Sequence, residues 1–161
     1  TWALIRSTRA LAEPWRLPAI VPRHPARWAW SALLAGSLGL VASAVWPDYF
    51  YPMLWLAPLL LFLGLRSRLG IPTGLEGLAR GDWRMLYGPA AAALVCGLFW
   101  EMWNYWSLPK WVYSVDFLQR FHLFEMPILG WAGYLPFGVL CVLLAEDIGR
   151  LAARVPATPS S

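Results

Sequence analysis

The sequence predicts an all-α integral membrane protein. The expected form is a four-transmembrane-helix bundle with both termini cytoplasmic (N-in/C-in) and an aromatic-rich interfacial segment between the third and fourth spans. Three observations predict it. Four apolar runs punctuate the chain: Trp28–Trp46, Tyr49–Leu65, Met85–Trp100 and Met126–Ala145. Eleven of the 13 Lys/Arg fall in the N-terminal arm, the segment between the second and third runs, and the C-terminal tail; only Lys110 and Arg120 lie in the other two connections. Loop charge that alternates in this way is the positive-inside pattern. Finally, the hydrophobic fraction is 59% and the charged fraction 14%. Soluble domains carry about 45–50% and about 25%, so this chain has too few charges to cover a water-exposed surface.

The chain divides into a basic cytoplasmic arm (1–27), a transmembrane domain (28–148) and a tail (149–161). The arm holds Arg6, Arg9, Arg16, Arg23 and Arg27. Thr1–Ala12 is read either as an amphipathic helix on the membrane surface or as a disordered basic tail. Pro14, Pro18, Pro22 and Pro25 hold the link to the first span extended.

The first span, 28–46, is bounded by Trp28, Trp30 and Trp46 as interface anchors. Ala42-Ser43-Ala44 imitates a signal-peptide cleavage site. The run is nevertheless long enough to span, at roughly 28 Å, and is expected to be retained. Ala32/Gly36 and Ala35/Gly39/Ser43 recur at intervals of four, which puts small residues on one face for close helix approach. Pro47-Asp48 is expected to be a short turn, making spans one and two an antiparallel hairpin. The second span, 49–66, is expected to bend at Pro52 and Pro58 and to stop at Arg66 and Arg68.

Thr73-Gly74-Leu75-Glu76 has the form of a capping box and predicts a short helix over Gly74–Arg80. Gly81-Asp82 is expected to cap the third span, 84–106, which ends before Pro109. The segment Glu101–Glu125 holds Trp103, Tyr105, Trp106, Trp111, Tyr113, Phe117, Phe121 and Phe124. It is too aromatic for a solvated loop, so an in-plane amphipathic helix is expected over Ser114–Phe124. The fourth span, 126–148, is expected to start at Pro127 and kink at Pro136.

Among residues that could carry chemistry, Glu101 stands out. A charge at mid-membrane costs about 2.5–3.5 kcal/mol on insertion scales, and Asn104 shares its helix face three residues on. Two readings follow: a structural hub in which Glu101 and Asn104 tie the aromatic segment to the bundle, or a carboxylate aimed into a cavity. Glu125, before Met126-Pro127, reads as a helix cap. Alternatively Glu101 and Glu125, with Lys110 nearby, form an acid/base pair acting on a lipid or isoprenoid.

His122 is a candidate axial ligand for a haem or chlorophyll, or an interfacial histidine bonded to backbone or water; no span carries the two-helix histidine pair that bis-His haem needs. Cys96 and Cys141 read as small buried hydrophobes. No metal cluster, phosphate loop or nucleic-acid motif is visible. Trp103, Trp106, Trp111 and Tyr113 are expected as interface anchors or as a partner contact.

The stretches Phe99-Trp100-Glu101-Met102-Trp103-Asn104-Tyr105-Trp106, Pro109-Lys110-Trp111-Val112-Tyr113, Phe124-Glu125-Met126-Pro127-Ile128-Leu129-Gly130 and Gly133-Tyr134-Leu135-Pro136-Phe137 resemble a family of small bacterial multispan membrane proteins that carries no assigned activity. More loosely, the chain is similar to unassigned transmembrane subunits of bacterial photosynthetic reaction-centre/light-harvesting complexes. The resemblance implies a multi-pass protein of the bacterial inner (cytoplasmic or intracytoplasmic) membrane.

Small size, no catalytic constellation and an excess of aromatics beyond one bundle's anchoring needs suggest a non-catalytic accessory or structural subunit of a larger bacterial membrane complex, photosynthetic or respiratory. Its partners would be other transmembrane subunits and lipids, not nucleic acid. No intrinsic cofactor is expected, while contacts with lipid, quinone, carotenoid or chlorophyll are open. The alternative function is a membrane-embedded lipid or isoprenoid enzyme.

Overall fold

The computed structural model describes residues 17–114 and 121–153. The chain is mostly helical. In order come α1 (Pro25–Val45), a single-turn α2 (Pro47–Phe50), α3 (Met53–Arg68), a 3-10 turn (Glu76–Arg80), α4 (Arg84–Trp106), strands β1 (His122–Leu123) and β2 (Met126–Pro127), a second 3-10 turn (Ile128–Gly133) and α5 (Tyr134–Ala152). Among the described residues, three helical stretches are long and apolar enough to cross a membrane: Pro25–Val45, Arg84–Trp106 and Ile128–Ala152.

The second expected span takes a different form. Pro52 does not bend a long helix; it separates α2 from α3 and occupies the N-cap of α3. With no N–H of its own, proline fits a helix start. The result is a helix of 16 residues, roughly 24 Å long, with Pro58 inside it.

Close approach of small residues sets the pairing. Ala29, Ala32, Gly36, Gly39 and Ser43 form the buried stripe of α1, while Ala35 faces outward. A β-carbon at Gly36 would fall 3.1 Å from the Ala57 carbonyl oxygen, and one at Gly64 would fall 3.0 Å from the Ala29 oxygen. Positions that rise along α1 thus meet positions that fall along α3, so the hairpin is antiparallel. The Ser43 hydroxyl closes its tip, 2.8 Å from the Gly39 oxygen and 2.7 Å from the Phe50 oxygen. It donates to one of them at a time.

Helix α5 lies between α3 and α4. Gly138 sits directly against the Pro89 carbonyl of α4 with no room for a side chain. Leu59 and Leu63 of α3 meet Val139 and Leu143 of α5 to form the apolar core. This arrangement gives the molecule two distinct ends. At the basic end, Arg66 reaches Asp147 across 2.5 Å. There too, Ile20 N–H donates to the Leu78 oxygen at 2.9 Å and Trp83 Nε1 donates to the Pro18 oxygen at 3.1 Å.

Several local expectations change. The capping box does not form: Leu75, not Thr73, is the N-cap and has no side-chain cap bond. Instead Thr73 Oγ1 donates to Glu76 Oε1 at 3.0 Å and accepts from Leu75 N–H at 3.2 Å, and the element that follows is the 3-10 turn Glu76–Arg80. Asp82 Oδ1 accepts from Arg84 N–H at 3.1 Å, which satisfies one free donor at the start of α4. At the far end, α5 starts at Tyr134 rather than Met126. Met126 and Pro127 instead pair antiparallel with Leu123 and His122. Pro136 therefore lies in the first turn of α5, where no donor is lost, and does not kink it.

Phe121 and Phe124 flank β1 with φ of 55° and 60°. That left-handed conformation is unusual for bulky residues and reverses the chain tightly. The described part of Ser114–Phe124 is thus not helical; the rest of that stretch, like Thr1–Ala12, lies outside the described residues. Helix α5 also runs on through Ala152, past the expected start of the tail at 149. Cys96 and Cys141 are exposed rather than buried.

Candidate functional site

The C-terminal half of α4 points Gly97, Glu101 and Asn104 inward along one helix face, all three buried. Glu101 is 0% exposed. Its Oε1 accepts from the Tyr113 hydroxyl at 2.6 Å and from the Tyr134 hydroxyl at 3.1 Å. Gly97, one turn earlier, makes the second contact sterically feasible: a β-carbon there would fall 2.6 Å from Tyr134 Cζ. Among the described residues, Glu101 Oε2 has no hydrogen-bond partner.

Asn104 holds the chain that follows α4. Its Nδ2 donates to the Trp111 oxygen at 2.9 Å, and its Oδ1 accepts from Trp111 N–H at 2.9 Å. Both polar atoms of the side chain are used, which fits its burial. This clamp positions Tyr113 two residues on, and Trp111 Nε1 donates to the Tyr113 hydroxyl at 2.9 Å. Burial first, then its own bond to Glu101, raise the Tyr113 phenol above its ordinary value of 10.0.

Beside these groups is a cavity of about 620 Å³. Tyr51, Leu54 and Trp55 line it from the α2–α3 side, Trp100 and Glu101 from α4, and Phe137 from α5. Its walls are chiefly apolar and aromatic, with the Glu101 carboxylate among them. Trp55 meets Phe137 edge-on, with centroids 5.6 Å apart, and Trp100 lies 5.7 Å from Trp111.

The structure does not bring Glu101 and Glu125 together in this cavity. Glu125 is not among its lining residues, and its Oε1 lies 2.5 Å from Lys110 Nζ. The ammonium also sits 5.3 Å from the Tyr105 ring centroid. Its hydrogen bond to Glu125 raises the Lys110 pKa, and that partnership takes both residues away from Glu101. Nor does Glu125 cap a helix, since α5 begins nine positions later in the chain.

His122 is exposed on β1, opposite Pro127. Among the described residues no three His, Cys, Asp or Glu side chains cluster as a metal site. Trp103 and Trp106 face outward, at 64% and 69% exposure. Tyr113 instead lines the cavity, while Trp111 is exposed and packs on Trp100.

Sequence reasoning missed Tyr134, Tyr51 and Trp55. Tyr134 lies 33 residues from Glu101, and only a helix-packing argument from Gly97 and Gly133 could have joined them. The elements define a helical membrane protein whose three long apolar helices are compatible with a multi-pass arrangement. Comparison of the chain with protein-family models, curated proteins and solved structures gave no match.

Proposed function

We propose that this protein is a non-catalytic accessory subunit of a larger bacterial membrane complex, photosynthetic or respiratory. In this reading α3 is a fourth, short span, the termini are cytoplasmic and the aromatic end faces outward in the inner membrane. The observation that carries the reading is the aromatic strip on α4. Phe99, Trp103 and Trp106 follow i, i+4, i+7 spacing and so share a face, one turned away from Gly97, Glu101 and Asn104. All three are exposed.

The strip runs roughly 10 Å along the helix axis. Headgroup anchors gather at one depth, whereas a strip along the axis suits an apolar helix of another subunit. Phe124, with its ring centroid 5.9 Å from that of Trp106, extends the same surface at its end.

The test is mild-detergent isolation of a tagged chain from its native membrane, for the wild type and for W103A/W106A. The double variant is expected to lose its co-purifying subunits while keeping its helical circular dichroism. Full retention of partners overturns the reading.

A second reading, an enzyme acting on a lipid or isoprenoid, is favoured by the unpaired Glu101 oxygen beside an apolar cavity. It rests on Glu101 alone, since Glu125 and Lys110 bind each other.

A further inference from the structure

We propose that the cavity beside Glu101 binds an uncharged, membrane-dissolved molecule with an apolar body and a terminal hydroxyl, and that this hydroxyl pairs with Glu101 Oε2. The proposal stands apart from the question of a host complex and requires no reaction.

Glu101 is wholly buried, yet among the described residues one of its two oxygens has no partner. Buried polar atoms are nearly always hydrogen-bonded, and leaving one unpaired is unfavourable. The other oxygen already accepts from both Tyr113 and Tyr134, which fixes the carboxyl group from two sides. Glu101 also lines a cavity large enough for a sizeable apolar group. Apolar walls with a few placed polar groups are the usual composition of a small-molecule site.

The class of ligand follows from the chemistry of Oε2. An ammonium group can only donate, and a ketone or aldehyde can only accept. A hydroxyl donates and accepts, so it satisfies Oε2 in either state. The Leu54, Trp55, Trp100 and Phe137 side chains offer the body dispersion contacts and flat aromatic faces. No Lys, Arg or His is among the described residues that line the cavity, and its one charged group is the Glu101 carboxylate, which disfavours an anionic headgroup.

The test uses the full chain in lipid nanodiscs and four probes sharing one C15 isoprenoid skeleton: farnesol, its deoxy hydrocarbon, farnesal and farnesylamine. Affinities are measured by titration calorimetry, corrected for partition into protein-free discs. Farnesol is expected to bind about tenfold or more tighter than the hydrocarbon, the ratio that one well-formed hydrogen bond supports. In E101L the two affinities should converge. Cys96 also lines the cavity, and C96F, which adds bulk to that wall, should weaken both.

Should E101L fail to fold, the wild-type ratio and the C96F loss decide alone. Equal binding of farnesol and hydrocarbon, no binding of either, a preference for farnesal or farnesylamine, or indifference to C96F overturns the proposal.

Discussion

The most deeply buried charges at the two ends of the molecule, Arg66 and Glu101, are held in opposite ways, although each end also carries more exposed ion pairs, such as Arg150–Glu146 at one and Lys110–Glu125 at the other. At the basic end, Asp82 pairs with Arg84, Glu146 with Arg150, and Asp147 with both Arg66 and Arg150. At the aromatic end, the most deeply buried carboxylate, Glu101, has two phenols as its hydrogen-bond donors. Ion pairs neutralise a charge that must sit near helix ends, and they cost little where water can still reach one side. Phenols offer hydrogen bonds without a counter-charge and leave part of the carboxyl group available to a third molecule. The first end is stitched by ion pairs, although Arg66 Nε is buried with no hydrogen-bond partner among the described residues, and the second leaves Glu101 Oε2 unpaired.

The largest effect is expected at the basic end. The Arg66 side chain is 7% exposed and Asp147 is 32% exposed. Removing one partner of a buried pair costs about 3–5 kcal/mol, because the other charge stays behind. Asp147 is partly open to solvent, so D147A should destabilise the protein by about 3 kcal/mol, the lower figure. Denaturant unfolding in detergent micelles measures this. A loss below about 1 kcal/mol would mean that Arg66 relaxes into solvent.

The matching change at the aromatic end is N104A. It removes the two bonds that hold Trp111, each worth about 0.5–1.5 kcal/mol. The expected loss is about 1–3 kcal/mol, concentrated locally. Hydrogen–deuterium exchange should accelerate in residues 107–114 and leave α1 and α3 protected. Uniform acceleration would show that this end is as integral to global stability as the basic one.

Much of this division was legible in the sequence. Basic residues flanking the apolar runs marked one end, and Glu101 and Asn104 at i, i+3 marked one inward face of the third helix. What the sequence did not reveal depends on contacts between distant segments. Tyr134 reaches Glu101 only because α5 is docked against Gly97. Glu125 read as a cap because an acidic residue before Met126-Pro127 suits a helix start, yet the β1–β2 pairing delays that start to Tyr134 and leaves Glu125 to Lys110. Pro52 read as a bend because the apolar run continues past it. The helix in fact restarts there, since proline disrupts an interior turn but fits a first one.

Tyr113 offers a smaller, pH-dependent test. Its phenol is raised above the ordinary 10.0 by burial and by Glu101. The unfolded phenol ionises first as pH rises, so the stabilisation is fully present below about pH 10 and is lost as pH climbs towards the folded value. Y113F should cost about 1 kcal/mol at neutral pH through the lost hydrogen bond. It should also flatten the decline of stability between about pH 9 and pH 11. Unfolding curves of both proteins across that range measure this, and identical pH slopes would remove Tyr113 from the account.

The smallest effect is expected from D82N, and its smallness is informative. The hydrogen bond to Arg84 holds the Asp82 carboxyl below its ordinary 3.8, against the opposing influence of partial burial. A depressed carboxylate contributes stability above its unfolded pKa, and that contribution is lost as pH falls through the folded value. The Arg84 side chain is 42% exposed and Asp82 23% exposed, so solvent screens the pair and the contribution is about 0–1 kcal/mol. Asparagine keeps an oxygen that can accept from Arg84 N–H, which preserves the cap of α4. D82N should therefore cost under about 1 kcal/mol at low salt and less at high salt, where the wild-type pair is itself screened. The check is unfolding of both proteins at two ionic strengths. A loss matching that of D147A would place Asp82 among the buried ion pairs and move the boundary between the two kinds of end outward to the start of α4.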